Sequence, residues 1–362
     1  MSTVFLTGFP GFLGSALVER LLERHDEETT VTCLIQSEYR EEATTRRAEI
    51  DQAVDADASR IELVGGDITF EDLGLDNYDD VADRTDHVYH LAAIYDLTMD
   101  RAPGKAVNID GTRNVVAFAG AADADRLHYV STVVVAGDYE GEFTEEMLQE
   151  GQNFFNYYES TKQMAEVAVR ERSEVPTTVY RPGVAVGDSE SGETQKYNGP
   201  YEFLDVMDSQ GSSAVVPVPW GAGSSAFNVV PRDFVVEAIA YLSGLDESAG
   251  KTYHVANPDP PMTTELVEAF ADAMGKSRVF CPPYPKGIVA GLLRSAAVFG
   301  DEADLLESGS LEYQTWSASF DCSNTVEDLE GSGIECPDFE AYADDLVEFY
   351  QNNPEIGGEG MH

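Results

Sequence analysis

The run Thr3-Val4-Phe5-Leu6-Thr7 is β-branched, aromatic and aliphatic, and it ends abruptly in Gly8-Phe9-Pro10-Gly11-Phe12-Leu13-Gly14, after which Phe12 to Arg24 reads as a helix. A strand that stops in a glycine turn and continues as a helix is the opening of a parallel α/β layer structure, because parallel strands need a crossover. Gly8 permits the tight turn, Gly11 lets the backbone approach a bound group, and Gly14 lets helix and strand pack closely. The helix start adds free N–H groups and the positive end of a dipole, which together suit a pyrophosphate. A glycine triplet alone is weak evidence; its place between strand and helix gives it weight.

The same rhythm continues along the first half. Strands are expected at Thr3 to Thr7, Thr30 to Ile35, Ile61 to Val64, His87 to Ala92, Leu127 to Ser131 and Thr177 to Tyr180, with helices near Phe12 to Arg24, Lys105 to Ala121 and Tyr157 to Arg172. This alternation reads as an α/β, Rossmann-type doubly wound parallel sheet with its ligand at the carboxyl ends of the strands. Beyond Gly187 a stretch rich in Gly, Ser and Pro runs to Gly223, the kind of segment that covers a site. Phe234 to Leu242 then reads as a helix and Lys251 to Val255 as a strand closed by Pro258, Pro260 and Pro261. Two more helices are expected near Thr264 to Met274 and Phe339 to Gln351. The expected division is a nucleotide-binding domain over residues 1–187, rejoined by 225–258, and a smaller C-terminal substrate-binding cap made of 188–224 and 259–362. The glycine-rich last residues are expected to fray.

Charge narrows the setting. Against 67 Asp and Glu stand only 22 Lys and Arg, a net charge of −45, which argues against nucleic acid as a partner. The carboxylates are interleaved with apolar residues throughout, so the expectation is a folded protein with an acidic coat rather than a disordered tail. Such a coat repels itself in dilute buffer and is tolerated where concentrated cations screen it, as in a salt-loving cell with an acidic proteome. Cys33, Cys281, Cys322 and Cys336 form no C-x-x-C pair and have no histidine nearby at ligand spacing, so they read as free thiols and no metal is expected. The N-terminus lacks the basic start of a signal peptide, and the apolar stretch Gly287 to Gly300, interrupted by Arg294, is too short to span a bilayer. A cytoplasmic location is expected, with that stretch open to lining an acyl channel, touching a membrane or forming an ordinary cap helix.

Tyr158-Glu159-Ser160-Thr161-Lys162 falls on an expected helix, where a spacing of four puts Tyr158 and Lys162 on one face. Lysine is scarce here, six in all, which makes one inside a motif more informative. The strand before this helix ends in Ser131-Thr132, at the edge where a hydroxyl faces the same pocket. Tyrosine has a reference pKa near 10 and becomes a useful acid or base when a cation favours its phenolate. Lys162 supplies that cation, and a neighbouring hydroxyl would hydrogen-bond and orient a reacting carbonyl oxygen.

The spacing G-x-x-G-x-x-G resembles that of extended short-chain dehydrogenases/reductases. Gly66-Asp67-Ile68 is similar to the family's adenine-contacting turn, His90-Leu91-Ala92-Ala93 resembles its H-x-A-A segment beside the nicotinamide ribose, and Val107-Asn108-Ile109-Asp110-Gly111-Thr112 its V-N-x-x-G-T helix. Arg181-Pro182 through Gly187-Asp188-Ser189 to Gly192 is similar to the R-P-x-x-x-x-G-D-S-x-x-G segment of fatty acyl-CoA reductases and thioester reductase domains, and the likeness reaches Asn228 to Phe234 and Tyr253 to Pro258. The resemblance implies an enzyme that uses Thr132, rather than Ser131, with Tyr158 and Lys162 to reduce an acyl thioester or the corresponding aldehyde. It places the nicotinamide cofactor against Thr7, Gly8, Pro10, Gly11, Phe12, Leu13, Gly14, Gln36, Arg40, Asp67, Ile68, Leu91, Ala92, Ala93, Asn108, Tyr158 and Lys162.

Ile35-Gln36-Ser37 has no carboxylate to repel a phosphate, and Arg40 follows closely, which favours NADP over NAD, although this branch usually carries an arginine where Gln36 stands. Ser131, Arg181, Asp188 and Lys196 are candidate substrate contacts. A buried pair of Arg181 and Asp188 organising the loop is the alternative for those two; for Lys196 and Arg232, which could meet a coenzyme phosphate, the alternative is solvated surface charge. Two other functions fit the same scaffold: an epimerase, dehydratase or hydroxyl dehydrogenase acting on a nucleotide sugar or sterol, and a protein that senses NAD(P) without chemistry. Nothing in the sequence fixes acyl-chain length or oligomeric state.

Overall fold

Strand β1 (Thr3–Thr7) buries Val4, Phe5, Leu6 and Thr7 almost completely, as only an interior strand covered on both faces can. The structure is a computed structural model that describes residues 3–24, 29–54, 60–285 and 310–357. In it β1 pairs with β2 (Thr30–Ile35) on one side and β4 (His87–His90) on the other. β3 (Ile61–Gly65), β5 (Arg126–Val130), β6 (Thr177–Tyr180) and β7 (Thr252–Tyr253) complete a seven-stranded sheet of order β7-β6-β5-β4-β1-β2-β3, with every pairing parallel. The chain steps outward from β1 to β3 and then returns to β4 on the other side of β1. That reversal opens a crevice above β1 and β4, where such sheets bind ligands. This is the Rossmann-type doubly wound sheet expected from the alternation of elements. β4 ends at His90 rather than Ala92, because the residues after it turn away to wall the crevice.

Helices cover both faces. α1 (Phe12–Arg24) buries Leu17, Val18, Leu21 and Leu22 at helical spacing. α2 (Arg40–Ala53) buries only Ala43 and Ile50, so it carries no apolar stripe and sequence periodicity gives no sign of it. α3 begins at Arg101, passes through a π-helical stretch at Lys105–Gly111 and continues as Thr112–Ala121. α4 (Tyr157–Arg172) follows β5, and α5 (Arg232–Ser243) packs against α1. Leu17, Leu21, Val235 and Ile239 belong to the apolar cluster on one face of the sheet, while Val115, Phe118, Ala165 and Val169 belong to that on the other.

A third cluster lies past the carboxyl ends of the strands and joins the sheet to a cap built around α6 (Thr263–Ala273) and α7 (Ala343–Asn352), which pack on each other. It includes Val133 to Ala136, Tyr158, Phe227, Phe270, Trp316 and Leu346. Short parallel pairs, Val184–Val186 with Val229–Pro231 and Gly141–Phe143 with Ala318–Phe320, connect the two layers. All four cysteines are free, Cys33 and Cys322 fully buried. Among the described residues no helix is long and apolar enough to cross a membrane. Lys286, the stretch Gly287 to Gly300 and the last residues from Gly358 onward lie outside the described residues.

Candidate active site

The glycine turn is held by backbone bonds from Gly11 N–H to Gly8 O (3.0 Å) and from Ser15 N–H to Gly11 O (2.8 Å). Gly8 has φ of +97°, and a Cβ there would stand 2.9 Å from the Ala92 nitrogen and from Leu91 Cβ. A Cβ on Gly14 would stand 2.2 Å from the Gly8 carbonyl oxygen. Both positions therefore require glycine, and the turn brings the start of α1 to the edge of a cleft of about 1030 Å³. A narrow turn at a helix N-terminus fits a dinucleotide pyrophosphate.

The cleft collects residues far apart in sequence. The turn contributes Thr7, Gly8, Pro10, Gly11, Phe12, Leu13 and Gly14, and Gln36 follows β2. Asp67 and Ile68 follow β3, Leu91, Ala92 and Ala93 follow β4, and Ser131 and Thr132 follow β5. Tyr158 and Lys162 come from α4, and Lys196 from the segment crossing above. Arg40, Asn108, Arg181, Asp188 and Arg232 are not among the residues lining it.

Those five have other places. Arg40 is exposed at the start of α2, and it is Arg46, one and a half turns on, that lines the cleft. Asn108 is buried; its Oδ1 accepts from Ile94 N–H (2.8 Å) while Nδ2 donates to Ile94 O (3.2 Å) and Thr161 Oγ1 (3.1 Å). It thus ties the wall after β4 to α4. Arg181 is fully enclosed and binds Glu166 through Nη2 (2.7 Å) and Nε (3.1 Å), Met147 O through Nη2 (2.6 Å) and His254 Nε2 through Nη1 (3.0 Å). Asp188 pairs with Arg232 (3.5 Å), whose guanidinium lies over the Phe12 ring.

Tyr158 lies on the first turn of α4, buried, with the Tyr95 ring edge-on at 5.0 Å. Burial, reinforced by Tyr95, raises its phenol above the ordinary value, and a hydrogen bond with the Thr132 hydroxyl partly offsets this. Thr132 also caps the turn Val133–Ala136, its Oγ1 accepting from Val134 N–H at 3.3 Å. Lys162 donates from Nζ to Val130 O (2.9 Å) and stands 4.7 Å from the centre of the Tyr129 ring. Burial lowers its ammonium to about 7, with Glu166 opposing. Ser131, beside Thr132, turns the other way and donates to Glu166 Oε2 at 2.7 Å. Burial alone would raise Glu166, but Arg181, Arg170 and Ser131 hold it below the usual carboxylate value.

Beneath the cleft Thr112 Oγ1 donates to Asn108 O (2.6 Å), so it accepts from His90 Nε2–H (2.9 Å), and His90 Nδ1 accepts from the Thr7 hydroxyl (2.7 Å). Burial, followed by the nearby Lys162 charge, lowers His90 to about 3, which keeps it neutral and fixes the ends of β1 and β4 side by side.

The structure also brings in residues that no motif marks. Glu38, Tyr39, Glu42 and Arg46 line the cleft together with Gln36, and Tyr95, Leu97, Val134, Val184, Phe227, Tyr313, Phe349 and Ile356 line it together with Thr132 and Tyr158. Phe349 and Ile356 come from α7 and the stretch after it, so their approach depends on how the cap folds back.

A family model described as male sterility protein matches residues 6–239. One of the linear gramicidin synthase proteins of Brevibacillus parabrevis is 30% identical over 73% of this chain and 5% of that protein, and carboxylic acid reductase of Mycobacterium tuberculosis is 28% identical over 71% of this chain and 24% of that protein. The chain therefore spans less than a quarter of the length of either relative. The terminal R domain from the myxalamid PKS-NRPS pathway superimposes with a TM-score of 0.82 at 27% identity, covering 98% of this chain and 92% of that domain. With a family match over more than half its length and this likeness to a terminal reductase domain, the chain belongs to the male sterility protein family, in the thioester reductase branch of the extended short-chain dehydrogenases/reductases.

Proposed function

We propose that this protein reduces an acyl thioester, or the corresponding aldehyde, with NADPH. The observation that carries the reading is one continuous cleft in which Thr132 and Tyr158 stand between a glycine cradle for the cofactor and an end walled by Leu97, Val134, Val184, Phe227, Phe349 and Ile356. The aliphatic and aromatic side chains of that wall suit an acyl chain, while Thr194, Gln195, Lys196 and Asn198 also line the cleft. Carboxylic acid reductase, by its name, acts on an acid group, which accords with this substrate class.

A bound reduced nicotinamide supplies the hydride. Thr132 and Tyr158 hold the carbonyl oxygen through their hydroxyls and orient it. The phenol, kept protonated by burial, gives its proton to that oxygen as negative charge develops there; on an aldehyde this yields the alcohol, and on a thioester a hemithioacetal whose C–S bond then breaks to release the free thiol and the aldehyde. Lys162 would hold the nicotinamide ribose, and its ammonium would favour the phenolate left behind. Lys196, at the mouth above Tyr95, is the substrate contact proposed for the thioester arm.

NADP is the proposed cofactor, since Gln36 rather than a carboxylate follows β2 and Arg46 lines that end, with Glu38 and Glu42 as opposing charges. The net charge of −45 supports a cytoplasm rich in salt as the setting. The test is loss of reduced-nicotinamide absorbance in molar KCl, offering NADPH and NADH in turn with a long-chain acyl-CoA, a fatty aldehyde and a UDP-sugar. Oxidation with acyl-CoA or aldehyde supports the reading, and the faster cofactor settles the preference. Silence with both, in protein that already carries tightly bound NAD, overturns it in favour of an epimerase.

A further inference from the structure

The cap meets the catalytic helix at a point that the reaction as written does not use. Asn156 is the N-cap of α4: its Oδ1 accepts from Glu159 N–H at 3.0 Å, and Glu159 reaches back to accept from Phe155 N–H at 2.8 Å. Tyr313, 154 positions beyond Glu159, brings its phenol to the same spot. The hydroxyl donates to Glu159 Oε1 and accepts from Asn156 Nδ2 at 3.0 Å, touching both capping side chains at once. A residue of the cap layer thereby completes the cap of the helix. Tyr158 is the second residue of that helix and adjoins Glu159, so the turn being held is the one that carries the catalytic phenol.

Trp316 does the equivalent for the opposite element. Its Nε1 donates to Gly137 O at 2.6 Å, and Gly137 closes the turn Val133–Ala136 that Thr132 begins. The Tyr313 and Trp316 rings meet edge to face with centroids 5.6 Å apart. One short segment therefore grips both elements of the catalytic pair. Glu159 is wholly buried, and burial lifts its carboxyl to about 7 with Asp138 and Glu312 adding repulsion, against the Tyr313 and Phe155 hydrogen bonds that favour its charge.

We propose that Tyr313 is a positioning residue: by completing the cap of α4 it sets the Tyr158 phenol opposite Thr132. The inference rests on the reading of Tyr158 as proton donor. Loss of one capping contact frees the first turn, and a displacement of about 1 Å at a reacting group costs up to about 100-fold in rate.

The test is Tyr313→Phe in the full chain, which keeps the ring against Trp316 and Phe155 and removes only the hydroxyl. With NADPH and octanal, and in parallel octanoyl-CoA, kcat is expected to fall about 10- to 100-fold, while the NADPH dissociation constant, read from its fluorescence, stays within about twofold. In a Tyr158→Phe background the same change should alter the residual rate by less than about twofold, because a residue acting through Tyr158 then has nothing to act on. Native kcat in Tyr313→Phe, or equal losses in both backgrounds, overturns the inference. A native rate in Tyr158→Phe alone overturns instead the proton-donor assignment, so the two failures are distinct. If Tyr313→Phe does not fold, Asn156→Asp keeps the N-cap acceptor but has no N–H to donate to Tyr313; a several-fold drop in kcat is then expected, and native kcat counts against the proposal.

Discussion

Lys162 Nζ donates to the Val130 carbonyl at 2.9 Å, so the ammonium is anchored to the end of β5, the strand that leads to Thr132. Its pKa, lowered to about 7 by burial, lies below the unfolded value of 10.5. The unfolded chain binds more protons between those two values, so the contribution of this group to stability is fully present above 10.5 and is lost as pH falls through about 7. Lys162→Met removes the buried charge. It should abolish turnover, yet be more stable than the native protein at pH 6 by about 1–3 kcal/mol, the gap closing as pH rises toward 10. Denaturant melts at pH 6, 8 and 10 decide it, and equal stability throughout argues against the lowered pKa.

Arg181 and Glu166 form a wholly buried pair, and removing one partner strands the other. Arg181→Met should cost about 3–5 kcal/mol, and Arg181→Met with Glu166→Leu should recover much of it. Because Arg181 does not line the cleft, whatever fraction stays folded should keep a near-native KM for NADPH. A KM for octanal raised tenfold in folded protein would return Arg181 to the list of substrate contacts.

Gly14→Ala places a methyl group 2.2 Å from the Gly8 carbonyl, a distance that only movement of the turn can relieve. Affinity for NADPH should fall at least about tenfold with little change in the far-ultraviolet circular dichroism spectrum, since the sheet is retained. Equilibrium titration of cofactor fluorescence measures this. Unchanged affinity would mean that the cofactor does not use this turn.

A net charge of −45 predicts that thermal unfolding moves to higher temperature as KCl rises from 0.1 to several molar. Scanning calorimetry across that range is the measurement. Equal midpoints at both ends would exclude dependence on salt.

Elements with their own local pattern were readable in the sequence. β1 and α1 lie at Thr3–Thr7 and Phe12–Arg24 as expected, because glycine chemistry and apolar periodicity are properties of neighbouring residues. α2 was not, since a helix with only Ala43 and Ile50 buried announces itself by neither period nor cap. Within the site, proximity in sequence suggested Asp188 as the partner of Arg181, whereas the structure pairs it with Glu166, one turn beyond Lys162 on α4. Tyr313 gave no signal at all, because its role exists only once the chain returns from 154 residues away.

Tyr158 is also a member of the apolar cluster that fastens the cap to the sheet edge. Anyone who reshapes this protein for a new substrate by exchanging caps between relatives would be editing the surroundings of the proposed proton donor at the same stroke. A transplant that carries Tyr313 and Trp316 along with the new cap should keep its turnover, and one cut to leave them behind should bind its substrate and convert it slowly.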